Sequence, residues 1–184
     1  MRVFITLSQN YLTMIRSDKK VNELVEVLKS DNNTAITAAI ELLRLEVPFE
    51  GAIALLTGFY DKTDDMSVRK SISGFMNDLK DKSVCEEVIQ EIRKEYKPDT
   101  ISMLVSSCWQ SGLNYSEYSI DLANVFLKGD YVTAIECLTV IEESVNELSK
   151  AKRKEVIKLI KASPLPLVNE KSTLVLELIS ILER

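Results

Sequence analysis

Apolar residues recur along this chain at the three- and four-residue spacing of amphipathic helices, in segments separated by short polar turns. Between Met66 and Lys80, for example, one helical face carries Val68, Ile72, Phe75 and Leu79. Five such segments open with Asn or Asp, the residue types that cap helix N-termini, at Asn33, Asp65, Asp99, Asp130 and Asn169. The pattern predicts an all-α protein.

The five openings are separated by 32, 34, 31 and 39 residues, and each interval leaves room for one further amphipathic helix. Repetition of this kind is typical of stacked helical hairpins, because a lone hairpin cannot bury its apolar face. We therefore expect a single domain over residues 1–184, with a capping segment at 1–20 and about five antiparallel helical hairpins over 21–184. A strand at Val3–Leu7 and a non-repetitive helical bundle are alternatives that the pattern leaves open.

Short motifs predict where several of these helices begin and end. Ser83 and Ser144 are each followed three residues later by Glu, which is the spacing of a capping box. Gly112 is expected to end the second helix of the third hairpin. The first two hairpins are expected to pair residues 21–28 with 34–45 and residues 49–60 with 66–80.

Composition and charge narrow the classes of function. The chain is 46% hydrophobic and 28% charged, which is the balance of a folded soluble protein, and its net charge of -5 disfavours nucleic acid as a partner. No stretch approaches ~18 uninterrupted apolar residues, and the first ten residues lack the pattern of a secretory signal. We expect a cytoplasmic protein without membrane association.

Catalytic and metal-binding residues are scarce. The chain has no histidine, the commonest general base and metal ligand, and no Gly-rich phosphate loop or GxSxG motif. Its three cysteines are widely spaced, and Cys108 and Cys137 fall in apolar stretches typical of buried thiols. Cys85 lies in a first helical turn, where the helix N-terminus could lower the pKa of its thiol. We expect no catalytic residues, no metal site and no cofactor.

The segment Asp64-Asp-Met-Ser-Val-Arg-Lys-Ser-Ile72 resembles the turn and second-helix opening of a HEAT repeat. Two other segments have Ile36-Thr37 and Val132-Thr133 in place of the Val-Arg pair, so the resemblance is to a divergent member. The period also suits tetratricopeptide repeats, but their Trp-Leu-Gly-Tyr pattern does not recur here. The HEAT resemblance implies a right-handed α-α superhelix, or solenoid, whose second helices bind another protein.

The second helix of the third hairpin contains the first candidate binding surface. Helical projection places Ser102, Ser106 and Gln110 on its open face, with Trp109 at the border of the packed side. Trp109 is the only tryptophan, and tryptophan is enriched among the residues that dominate binding energies. Trp109 either closes the core between two hairpins or forms, with the three polar residues, the centre of a protein- or peptide-binding groove.

A second candidate surface is a basic helix near the C-terminal end of the sequence. Residues 146–163 hold six Lys or Arg and two Glu, a charge of +4, so the remainder of the chain carries -9 to give the net -5. The candidate contact residues are Lys150, Arg153, Lys154 and Lys158. They could meet phosphates or anionic lipid, or they could form an ordinary solvated helix face.

The HEAT resemblance leaves three functions to compare. The first is a non-catalytic scaffold or adaptor that binds a protein of unknown identity. The second is a HEAT-like DNA glycosylase-type protein, which would need a basic concave surface that the acidic composition disfavours. The third is a small accessory enzyme such as a chromophore lyase, for which the sequence offers no catalytic constellation. We therefore favour the scaffold.

Overall fold

We describe the fold from a computed structural model, in which residues 17–163 and 170–184 are described. These residues form ten α-helices and three short 3-10 turns, without β-strands, which confirms the all-α prediction. The helices are α1 Asp18–Leu28, α2 Asn33–Leu43, α3 Ala52–Tyr60, α4 Met66–Asn77, α5 Cys85–Ile92, α6 Pro98–Gln110, α7 Ser119–Lys128, α8 Tyr131–Ser144, α9 Lys150–Ala162 and α10 Ser172–Glu183. Most of the predicted capping segment, the alternative strand and Asn169 lie outside the described residues.

The helices pack in pairs and in rows. Each odd-numbered helix contacts the even-numbered helix that follows it, from α1 with α2 to α9 with α10. The even-numbered helices, which we call the second helices, also contact one another in chain order: α2 with α4, α4 with α6, α6 with α8, and α8 with α10. Buried apolar side chains form one cluster that extends from Leu24 to Leu182. No helix within 17–163 or 170–184 has both the length and the apolar character of a membrane span.

Polar side chains link helices that are two apart in chain order. The arginine–aspartate ion pairs within or at the ends of such helices are Arg44–Asp78, Arg69–Asp99 and Arg93–Asp121. The pairs occupy different positions on their helices, so they do not form one regular ladder. Because exposed ion pairs contribute only about 0–1 kcal/mol each, the apolar cluster is the main source of stability.

Two of the predicted N-caps are wrong. The cap of α2 is Asn32, and the neighbouring Asn33 is already helical and donates instead to Asp65, at 2.8 Å. Proline at the first helical position starts α6 at Pro98, so Asp99 lies in its first turn. The predicted caps that the structure confirms are Asp65 of α4 and Asp130 of α8.

Neither predicted capping box starts an α-helix. The box at Ser83 lies within a 3-10 turn that Asp81 caps, and α5 begins after that turn at Cys85. The hydroxyl of Ser144 donates back to the carbonyl of Val140, and Ser149 caps α9. In both places a 3-10 turn precedes the α-helix, so the capping-box motif lies one turn before the residue at which the helix begins.

The end of α6 lies where it was predicted, but the start of α1 does not. The predicted stop after α6 is confirmed, because Gly112 has a φ of 70°, the left-handed conformation that ends helices. The first helix was expected from residue 21, but it begins earlier, at Asp18, where the side chain of Ser17 caps it. The predicted capping segment therefore contributes its last residues to α1.

Asp61, at the end of α3, caps a helix of the next pair. Its Oδ1 accepts hydrogen bonds from the backbone N–H of Lys97 at 2.9 Å and from the hydroxyl of Thr100 at 2.8 Å, at the start of α6. Desolvation opposes ionisation of Asp61, but these two hydrogen bonds and the charges of Lys97 and Arg69 outweigh it and lower the pKa of its carboxyl. Asp61 therefore fixes the position of α6 relative to α3.

Candidate functional site

A groove of about 640 Å³ crosses three successive second helices, α4, α6 and α8. The lining residues that these helices contribute are Ser73 and Asn77 of α4, then Pro98, Asp99, Ser102, Met103, Ser106 and Gln110 of α6, and finally Val132 and Glu136 of α8. The three polar residues predicted on the open face of α6 thus all line one groove. Residues four apart lie on one helical face, so these three form one row along α6.

A hydrogen bond between two side-chain amides links α4 to α6 in the α4–α6–α8 groove. The Nδ2 of Asn77 donates to the Oε1 of Gln110 at 2.6 Å, and the Nε2 of Gln110 donates to the hydroxyl oxygen of Ser106 at 2.7 Å. These bonds hold both amides in fixed orientations, and each amide nitrogen retains a second N–H. The groove therefore presents preformed hydrogen-bonding groups to a ligand.

Trp109 lies beside the α4–α6–α8 groove and is 40% exposed, so its interpretation as a core residue is wrong. Its indole N–H donates to the Oε2 of Glu136 at 2.6 Å, and Glu136 does line the groove. Trp109 is not itself a lining side chain, so it occupies the edge and not the predicted centre.

The large apolar side chains that remain exposed follow the second helices. Within the described ranges they are Leu42 of α2, Met66 of α4, Trp109 of α6, Tyr131, Val132 and Ile135 of α8, and Leu176 of α10, with Leu45 and Val47 in the loop after α2. None belongs to α1, α3, α5, α7 or α9. Among the ten described helices, therefore, only the second helices expose large apolar groups.

The α4–α6–α8 groove is acidic. Asp99, Asp130 and Glu136 line it, and no Lys or Arg is among its lining residues. The Oδ1 of Asp130 accepts the backbone N–H of Thr133 at 2.8 Å, and this bond lowers the pKa of Asp130. The lining disfavours phosphate groups, because its ionised side chains are carboxylates.

Helical projection of α6 identified its part of the groove, but the parts from α4 and α8 were missed. Ser73 and Asn77 lie off the apolar stripe of α4, which is the signal that identified Ser102, Ser106 and Gln110 on α6. Projection of one helix shows which side chains face outward, but it does not show which helices lie side by side. That arrangement depends on the long-range packing of α4, α6 and α8.

A second groove, of about 860 Å³, lies between α9 and the end of α10. The four basic residues named from the sequence all line it, together with Ile157, Lys161, Ala162, Leu182, Glu183 and Arg184. Arg153 also has a structural role, because its guanidinium donates to the carbonyls of Val145 at 2.7 Å and Leu148 at 3.2 Å. We call this feature the basic groove.

The thiols are poorly suited to catalysis. Cys85, Cys108 and Cys137 are all buried, and burial raises the pKa of each thiol above its usual value. For Cys85 this burial outweighs any lowering by the start of α5, contrary to what its place in a first turn suggested. Across residues 17–163 and 170–184, no group of three or more His, Cys, Asp or Glu residues is arranged to hold a metal ion.

Comparison with known proteins identifies no relative of this chain. No protein-family model, curated protein or solved structure matches this chain significantly. The similarity to HEAT repeats remains a prediction from the sequence.

Proposed function

We propose that this chain is a HEAT-like solenoid of about five helical hairpins, and that it is a non-catalytic scaffold that binds another protein through its second helices. The packing of the second helices in chain order supports the solenoid, because stacked hairpins bring equivalent helices together. Such a stack presents one continuous surface to a partner.

The main support is that, among the described residues, the large exposed apolar side chains are confined to the second helices and the loop after α2. Exposed apolar groups cost free energy in water, and their concentration on one set of helices is typical of a surface that a partner covers. Trp109 of α6 donates to Glu136 of α8, and Glu136 and Val132 both line the α4–α6–α8 groove. A partner at this place would therefore meet an apolar anchor and a polar groove together.

The two alternatives receive less support. A DNA glycosylase-type protein needs a basic binding surface, whereas the α4–α6–α8 groove is lined by Asp99, Asp130 and Glu136 without Lys or Arg. A small accessory enzyme needs an activated nucleophile or an acid–base pair, and burial keeps the pKa of all three thiols raised. The scaffold requires neither feature.

Affinity capture from native lysate, read by quantitative mass spectrometry, tests the proposal. The baits are the wild type, Trp109→Ala, which removes the anchor, and Ser106→Arg, which fills the groove. Gln90→Ala is the control, because Gln90 is an exposed residue of α5 and lies outside the proposed binding surface. We expect to find proteins that the wild type and Gln90→Ala retain and that both other variants lose. Equal recovery by all four folded baits would contradict the proposal.

A further inference from the structure

We propose that the basic groove between α9 and α10 is a second docking site, which binds an acidic protein segment that carries at least one large apolar side chain. This site is separate from the α4–α6–α8 groove, and its charge is opposite. The inference rests on the cations and the apolar side chains that line it, and on its concave shape.

The cations form an ordered row. Lys150, Lys154 and Lys158 are four residues apart on α9, so their Cα atoms lie on one face at steps of about 6 Å. None of the three makes an ion pair to another side chain within the described part of the protein. The row is therefore available to carboxylates that repeat at a similar spacing, as they do on one face of an acidic helix.

The charge of the groove is almost uncompensated. Six cationic side chains line it, and the one acidic side chain that lines it, Glu183, already lies 3.5 Å from the ammonium of Lys161. The remainder of the chain carries the excess negative charge, so an acidic segment is repelled elsewhere and attracted here.

The groove is also lined by apolar side chains, which favours a protein segment over a phosphate-bearing surface. These are the partly exposed Ile157, the buried Leu182 and Ala162. A lipid headgroup layer would meet the lysines without contacting these apolar groups. A peptide can place carboxylates on the lysines and an apolar side chain between α9 and α10.

Display of random 16-residue peptides tests the proposal, because the library samples acidic and apolar segments in every order. The library is selected on the wild-type protein and depleted on Lys154→Glu/Lys158→Glu. Lys62→Glu/Lys70→Glu is the matched control, because both lysines are exposed and belong to the α3–α4 hairpin, whereas α9 packs against α7 and α10. Circular dichroism first establishes that all three proteins are folded.

We expect enriched peptides with net negative charge and at least one Leu, Ile, Phe or Trp. A synthetic copy, titrated by fluorescence anisotropy, should bind Lys154→Glu/Lys158→Glu about tenfold more weakly than wild type, since two exposed charge pairs are reversed. It should bind the control with wild-type affinity, and replacing its apolar residues with Gln should also weaken binding.

Three results would overturn the inference. One is the absence of any peptide whose binding depends on Lys154 and Lys158. Another is enrichment of peptides without acidic residues, or affinity that survives the Gln replacements. The last applies when no such peptide is found. If the wild-type protein then sediments with vesicles containing about 30% phosphatidylserine, and Lys154→Glu/Lys158→Glu does not, the groove would be assigned to anionic lipid.

Discussion

The indole N–H of Trp109 donates to the Oε2 of Glu136 at 2.6 Å, which joins α6 to α8 at the surface of the molecule. Both residues belong to second helices, and they are 27 positions apart in the sequence. The bond satisfies the polar end of the indole and leaves much of the ring exposed. Trp109 is thus held in place at the surface, as a binding anchor would need to be, without being a member of the core.

Replacement of Trp109 distinguishes a surface anchor from a core residue. We expect Trp109→Ala to lower the free energy of unfolding by about 1–2 kcal/mol. The effect should be smaller than that of Leu104→Ala on the same helix, because truncating a fully buried leucine leaves a cavity that costs about 3 kcal/mol. Urea denaturation followed by circular dichroism gives both values. If Trp109→Ala were the more destabilising of the two, Trp109 would belong to the core.

Helical periodicity predicted the helices and their buried faces, and it failed mainly at the helix ends. The apolar stripe of Val68, Ile72 and Phe75 determines which face of α4 is buried, and this stripe is visible in the sequence. Asn32 and Asn33 are both good caps, so residue type alone could not choose between them. The choice depends on backbone conformation and on the neighbouring helix, which a local motif does not contain.

Long-range contacts could not be predicted from the sequence for a related reason. The sequence does not show that Asp61 caps α6, or that Lys171 reaches the end of α7, since 36 to 45 residues separate these partners. The open face of α6 was predictable from Ser102, Ser106 and Gln110, because it depends on one helix alone. The groove depends on three helices, so its other walls required the structure.

Lys171 caps the C-terminal end of α7 from the turn before α10. Its buried ammonium donates to the carbonyls of Phe126, Leu127 and Gly129 at 3.0, 2.9 and 2.8 Å. We expect Lys171→Met to lower the free energy of unfolding by about 2 kcal/mol, because it leaves carbonyls at the negative end of a helix without this donor. The measurement is urea denaturation. The exposed Lys62→Met is the control, with an expected change within about 0.5 kcal/mol, and equal effects of the two variants would refute the capping role.

The cap from Asp61 to α6 should make stability depend on pH. Its lowered pKa means that the folded state favours the carboxylate, so this contribution is present above the ordinary value of 3.8 and is lost as the pH falls through the folded-state value. At pH 7 we expect Asp61→Asn to cost about 1 kcal/mol, since a neutral acceptor replaces a charged one.

Urea midpoints between pH 7 and pH 3 check this expectation. The difference between wild type and Asp61→Asn should shrink toward the acid end, whereas Asp64→Asn, at an exposed neighbouring position, should follow wild type throughout. A difference that stayed constant over this range would show that the charge of Asp61 does not stabilise the start of α6.

Site-specific photo-crosslinking in native lysate compares the second helices with the odd-numbered helices. A benzophenone side chain is placed either at Val132, an exposed position of α8 beside the groove, or at Gln90, an exposed position of α5. If the second helices form the binding surface, a crosslinked protein is expected from position 132 and not from position 90. Adducts from position 90 alone, or from neither position, would contradict binding through the second helices.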